Sequence, residues 1–407
     1  MTFDTQTPLD AQDHRDFLIA DTKRQFDFFA ASMNPAGGFY VLDAQGRPLA
    51  SAVQELHTTT RLVHSYALGQ IAGRAGSAEM VAHGLSYLQS HHRDRVHGGY
   101  LWALEGDDVA DGRKLAYGHV FVLLAASSAL AAGHPAAKAL FEDIDQVLDA
   151  HFWQDAQGLF CDEWNRDWTP FSNYRGMNAN MHGVEALLAA YEASGQTKFL
   201  DRAGRILEFF LGQMAPKENW RLPEHYTESW QVDRGYAGDP MFRPAGTTPG
   251  HSFELARLLL HYGALTQAPL PPLVATARQL TYRALSDAWD ADQGGLFYTL
   301  EFGGAPSIKD RYWWPVTEAI GVIAALLKVD PQPEDVQWYQ TLWRFAQGHF
   351  IDAEQGGWFP EIDAAGKPTA RQFLGKPDIY HSVQATLFPL CPHVSGVYRD
   401  LRGLLAV

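Results

Sequence analysis

Apolar positions recur every three to four residues in twelve separate stretches of this chain, and between pairs of stretches the period switches to two. Spacing of the first kind predicts helices near 10–32, 52–73, 77–93, 115–132, 135–151, 179–194, 197–214, 249–264, 271–288, 314–328, 333–349 and 379–392. Some ends are legible: Gly133 closes the fourth in AAGHP, while Pro331 and Pro333 flank the start of the eleventh. The alternating stretches are aromatic and follow acidic or glycine-rich turns: HFWQDAQGLFCDEW (151–164), AWDADQGGLFYTLE (288–301) and HFIDAEQGGWFPEID (349–363). Weaker copies are NPAGGFYVLDAQGRP (34–48) and HGGYLWALEGDDVADGR (97–113), and a degenerate one is NWRLPEHYTESW (219–230). Each reads as a short β-hairpin, and the recurrence makes the chain an internal repeat of roughly sixty residues.

Six helix pairs with a hairpin after each outer helix describe an all-α fold, an (α/α)6 barrel of twelve helices with short β-hairpins at one mouth, formed by residues 1–407 as a single domain. The even-numbered helices then form the inner ring, buried enough to be apolar nearly all round. An open solenoid of helix pairs is the alternative. Long aromatic hairpins at the same point of every repeat favour the closed ring.

Composition narrows the partners. Of 407 residues, 46% are hydrophobic and 19% charged, which suits a globular chain. No apolar run approaches the ~18 residues of a spanning helix, and the start (MTFDTQTPLDAQDHRDF) is acidic and polar, so no signal peptide and a cytoplasmic location are expected. The formal charge of −15 argues against nucleic acid and anionic membrane. Cys161 and Cys391 offer neither a disulfide framework nor zinc-binding spacing. The 12 Trp, 16 Tyr and 23 Phe suit the apolar faces of sugars, although they serve cores equally well.

If the inner-helix starts surround one mouth, their polar residues converge. Those places carry Glu55, His57 and Arg61; Tyr117 and His119; Asn178, Asn180, His182 and Glu185; Arg243, His251 and Glu254; Trp313, Trp314 and Glu318; and Asp378, Tyr380 and His381. Singly, each has a bland reading: a histidine near a helix start is usually a hydrogen-bonded structural residue, as His64, His97, His134 and His349 are read, Glu254 and Glu318 suit helix N-termini, and Trp313 and Trp314 suit a core. Recurrence at nearly every inner helix is what packing alone does not require.

Histidines among neutral donors suit proton transfer, since an imidazole accepts and returns a proton near neutrality. A hydrogen beside a sugar carbonyl is weakly acidic, and its removal needs a positioned base plus donors to the enediolate oxygen. The His182–Glu185 and His251–Glu254 spacings resemble half of a di-metal carboxylate site, but the further bridging carboxylates are not evident. A hydrogen bond from Glu254 orienting His251 is the simpler use, and no metal or other cofactor is expected.

The blocks NANMHGVEA (178–186), TPGHSFE (248–254), WWPVTEA (313–319) and DIYH (378–381), with TTRLVHSY (59–66) and YGHVFVL (117–123), resemble the N-acylglucosamine 2-epimerase superfamily, most closely its mannose isomerase and sulfoquinovose isomerase branch. The resemblance spans nearly the whole chain and implies an (α/α)6 barrel acting on free monosaccharides without metal or cofactor. It implies that His381 shuttles a proton between C1 and C2 and that His251 is the second acid/base. It further implies sugar binding by Arg61, Tyr117, Asn178, His182, Arg243, Glu254, Trp314 and Glu318. The expected reaction interconverts D-mannose and D-fructose, with lyxose and xylulose as a further pair, through a cis-enediol(ate). Pro377 stands where sulfosugar-processing relatives carry glutamine, which favours a neutral hexose. A 2-epimerase on the same scaffold shares the first step, and an inverting α/α-barrel glycosidase, which needs two carboxylates about 6.5–9.5 Å apart, is more remote. A protein-interaction role, as in an animal relative known as a renin-binding protein, finds no partner surface in the sequence. Monomer and homodimer both stay open.

Overall fold

A computed structural model describes residues 8–49, 53–236 and 238–406. Its helices are α1 (Gln12–Phe29), α2 (Leu56–Ile71), α3 (Ser77–Tyr87), α4 (Ala116–Ala131), α5 (Ala137–Val147), α6 (Met177–Ser194), α7 (Thr197–Leu207), a single turn α8 (Ala215–Lys217), α9 (Pro249–Thr266), α10 (Leu270–Ala288), α11 (Trp313–Val329), α12 (Pro333–His349), α13 (Tyr380–Leu390) and a short α14 (Val397–Asp400). Apart from α8 and α14, these are the twelve helices the periodicity predicts. The predicted start of the second at 52 lies outside the described residues. α3, α5 and α7 run on into π turns over Leu88–His92, Leu148–Phe152 and Glu208–Met214, which accounts for the longer predicted spans there.

α2, α4, α6, α9, α11 and α13 pack each against the next, and α13 returns to α2, so the inner ring is closed. α1, α3, α5, α7, α10 and α12 lie outside, each against its inner partner. Burial explains the composition: in α11 every residue from Trp313 to Leu327 is buried, so the helix needs no polar face. Small residues set the spacing between layers. At Gly84 of α3 a Cβ would come within 2.3 Å of Val63 Cγ2 in α2.

The hairpins also form a ring. Val53–Glu55 pairs with Ala103–Glu105, Lys114–Leu115 with Glu163–Trp164, Arg175–Gly176 with His225–Tyr226, and Arg311–Tyr312 with Glu361–Ile362. Bridges Thr247–Leu300 and Leu42–Lys376 complete the circle. Each repeat thus hands a strand to the next, and the sixth returns to the first. That linkage favours the barrel over the open solenoid, and it places the degenerate copy at 219–230 as a true member. The acidic turns earn their recurrence by capping. Asp94, Asp290 and Asp352 each accept backbone N–H groups two residues on, ahead of Gly-Gly pairs with positive φ. Each also meets a cation from the strand before an inner helix or its equivalent: Lys114 at 2.9 Å, Arg311, and Lys376 at 2.7 Å. Strands run straight into α2, α4, α6 and α11, so the first turns of those helices are fixed at the mouth. Among the described residues no helix is long and apolar enough to cross a membrane.

Candidate active site

The first turns of the inner helices, with three hairpin-side segments, surround a cavity that opens to solvent. Of the ten residues expected at the site, Arg61, Tyr117, Asn178, His182, His251, Glu254, Trp314 and His381 line it. So do His57, Trp313, Pro377 and Asp378 from the same helix starts, and Met241, Phe242, Tyr298 and Phe373 from the hairpin side. The last four were not foreseen, because they lie in loops without helical spacing.

Two histidines are anchored alike. His381 Nδ1 is 2.9 Å from Glu318 Oε1, and His251 Nδ1 is 2.9 Å from Glu224 Oε1 and 3.0 Å from Oε2. A carboxylate only accepts, so Nδ1 carries the proton in both rings and Nε2 keeps its lone pair. The indole of Trp314 leans on both imidazoles, with ring centres 5.1 Å from His251 and 5.8 Å from His381. Gly250 makes room for it: a Cβ there would fall 2.2 Å from Trp314 Cζ3. Burial depresses the basicity of His381, and the hydrogen bond that it donates to Glu318 works against that depression. In Glu318, burial favours the neutral acid, but Arg257 and His381 outweigh it and hold the carboxyl ionised below the usual range.

Glu318 therefore stands behind His381, away from the cavity wall, and Glu254 does not orient His251. That expectation is corrected: Glu224, from the hairpin copy at 219–230, takes the role. Arg243 likewise faces away. It pairs with Glu163 Oε2 at 2.7 Å and lies over the Tyr174 ring at 3.9 Å.

On the opposite wall Arg61 donates to Tyr117 Oη at 2.8 Å and to Asp378 Oδ2 at 3.2 Å, which fixes a guanidinium at the cavity. His57 stacks on Trp102 at 5.2 Å, and burial, with Arg61 nearby, pushes its pKa down to about 3, so it is neutral. Deeper, His182 is also kept neutral by burial, with a pKa of about 4. Burial and the neighbouring Glu318 and Glu185 raise Glu254 well above the ordinary carboxyl range. The oxygens of Glu254 and Asn178 Oδ1 are buried without a hydrogen-bond partner among the described residues. Under them Arg257 approaches Glu318 Oε2 at 3.4 Å and Glu185 Oε1 at 3.8 Å, while Tyr380 donates to Glu185 Oε2.

Other polar residues at the helix starts are structural. His119 Nε2 accepts from Tyr100 N at 3.0 Å, and Nδ1 donates to Leu115 O. Asn180 clamps Phe160 N, Phe160 O and Gly176 O. His64 bonds Ser128 and His349 bonds Gly366 O, as the bland reading holds. Both cysteines are buried and unpaired. The arrangement offers two imidazole bases, a fixed guanidinium, and unmatched acceptors and donors for a polyhydroxylated ligand.

Comparison with known proteins gives the same picture. Residues 37–385 match the N-acylglucosamine 2-epimerase (GlcNAc 2-epimerase) family. A D-mannose isomerase from Thermobifida fusca is 41% identical over 394 residues, covering 94% of this chain and 96% of that protein. A D-mannose isomerase from Pseudomonas cannabina pv. alisalensis is 38% identical over 400 residues, 96% of each. A crystal structure of D-mannose isomerase superposes with a TM-score of 0.87 at 32% identity, covering 93% of this chain and 98% of that one.

Proposed function

Because the chain belongs to the N-acylglucosamine 2-epimerase family, we propose that it is an aldose–ketose isomerase that interconverts D-mannose and D-fructose. One observation carries the reading: two imidazoles face one cavity, each with Nδ1 held by a carboxylate and Nε2 left as a base. The three relatives at 34–41% identity over nearly the full length bear the name D-mannose isomerase, whereas two cellobiose 2-epimerases align at 23%, which favours isomerisation over 2-epimerisation.

In the proposed sequence His251 assists opening of the pyranose ring, and the open aldose then presents its C2–H to His381. The C–H electron pair becomes the C1–C2 double bond of a cis-enediolate, while the proton passes to His381 Nε2. Arg61 is the fixed donor for the developing oxyanion. His381 returns the proton to C1 as the O2–H electron pair becomes the C2=O double bond, the O2 proton passes to the O1 oxyanion to give the C1 hydroxyl, and the ketose results without any net change in oxidation state. Glu318 stabilises the imidazolium that forms between the two transfers. Asn178, Glu254 and His182 present the unmatched groups that hold the hydroxyls, and Tyr117 and Trp314 form the walls. Arg243 acts at one remove, by bracing the hairpin through Glu163. The chemistry needs no metal, since base, acid and oxyanion donor are all side chains. Pro377 at the cavity offers no donor to a sulfonate and supports a neutral hexose.

Incubation of the purified protein with D-mannose in D₂O, followed by NMR, tests this directly. Fructose with deuterium entering at C1 is the expected result. Glucose appearing first, labelled at C2, would make the protein an epimerase.

A further inference from the structure

One layer below the histidine dyads lies a cluster with a donor set of its own. His182 Nδ1 is 3.3 Å from Glu254 Oε1 and 3.7 Å from Glu185 Oε2, and the three ligand atoms lie within 4.8 Å of one another. All three residues are buried. Neither His182 Nδ1 nor either Glu254 oxygen has a hydrogen-bond partner among the described residues. A tetrahedral Zn²⁺ with bonds of about 2.0–2.2 Å sets its N and O donors about 3.4 Å apart. The two measured separations from His182 fall within a few tenths of that value. Tyr380 donates to Glu185 Oε2 and Gln384 to Oε1, so this carboxylate is held in place before any ion arrives.

One imidazole and two carboxylates suit Zn²⁺ and its first-row neighbours, whereas Mg²⁺ prefers an all-oxygen shell that retains several waters. We infer that His182, Glu185 and Glu254 form an inhibitory site for a late first-row divalent cation, Zn²⁺ above all, reached through the cavity and exclusive with sugar. His182 and Glu254 line the cavity, so an ion held there removes the groups proposed to grip the hydroxyls. The exclusion rests on the isomerase reading; the metal site itself does not.

Co²⁺ added to the chelator-treated full-length protein is the direct probe, because four-coordinate N/O ligation gives visible d–d absorption. One equivalent is expected to bind, to be displaced by Zn²⁺, and to be kept out by saturating D-mannose. In kinetics Zn²⁺ should raise the apparent KM for mannose while kcat holds. Glu185→Gln should weaken Co²⁺ binding at least tenfold, the lower bound for disturbing even an outer partner of a metal ligand. Absence of the visible bands, or Co²⁺ binding that neither mannose nor Glu185→Gln diminishes, would overturn the site. The mannose competition uses the unaltered protein, so it decides the matter even if the variant fails to fold. Binding lost in Glu185→Gln but unaffected by mannose would support the metal site and count against the sugar reading of the cavity.

Discussion

Glu318→Gln keeps the shape of the side chain behind His381 and removes its charge, so it isolates what that charge does. In the native protein the Nδ1–H···Oε1 bond is 2.9 Å and both partners are buried. A hydrogen bond to a charged group contributes about 1.5–3 kcal/mol net. At about 1.4 kcal/mol per factor of ten, its loss in a transition state that carries an imidazolium slows the reaction about 10- to 150-fold. If the amide turns its NH₂ toward Nδ1, the imidazole takes the wrong tautomer, and the loss grows toward the ~10⁴-fold seen when the aspartate of a serine-protease triad becomes asparagine. KM should change little, because Glu318 does not line the cavity. The pH dependence supplies a second readout. His381 must be neutral to accept the C2 proton, so kcat/KM falls as pH drops through its pKa, which burial sets below the ordinary 6.5. Glu318 raises that pKa; without it the acid limb should move to still lower pH. The assay is steady-state conversion of mannose to fructose between pH 4.5 and 8, with circular dichroism to confirm folding. Unchanged kcat, or an acid limb displaced upward, would refute the dyad. A raised KM at constant kcat would make Glu318 a sugar ligand instead.

His381→Ala and His251→Ala should each lower kcat about 10²–10⁴-fold in folded protein, and near-normal turnover in both would end the two-base scheme. Dialysis against EDTA should not reduce activity; loss that a divalent ion restores would require a catalytic metal. Lys114→Met and Lys376→Met should each destabilise the fold by about 3–5 kcal/mol in urea titration, since each leaves a buried aspartate facing a removed partner. Arg166 still reaches Asp94, so the Lys114 variant should be the milder of the two. His64, His92 and His119 are held neutral by burial, with pKa values near 4, 4 and 3. The unfolded chain therefore binds more protons below pH 6.5, and these three make stability fall as pH descends from 6.5 toward 4, by up to about 1.4 kcal/mol per pH unit each. Urea midpoints at pH 7.5 and 5.0, compared between the native protein and a His92→Gln variant, measure that contribution.

What was legible follows from geometry. A helix lining the barrel is apolar over its length, and α4 and α11 stand out as nearly uninterrupted apolar runs because almost every residue in them is buried. The hairpins announce themselves by their Asp-capped turns, which must recur because each strand pairs with the next repeat. First-turn residues such as His251, His182 and Trp314 could be assigned to the mouth, since the chain enters every inner helix there. Depth and rotation were harder. His251 and Glu254 are three residues apart, which brings their side chains near one face, yet it also separates them by about 4.5 Å along the axis. That rise leaves His251 at the rim, where Glu224 descends from a hairpin to meet it, and carries Glu254 down to His182. The same step takes His182 to Glu185. Rotation is hidden for a related reason: in a helix buried all round, no wet face marks its phase, so nothing in the spacing of Arg257 or Glu318 says which one points across the ring. Their pairing and the His381–Glu318 bond, 63 residues apart in sequence, arise only when six such helices close on one another.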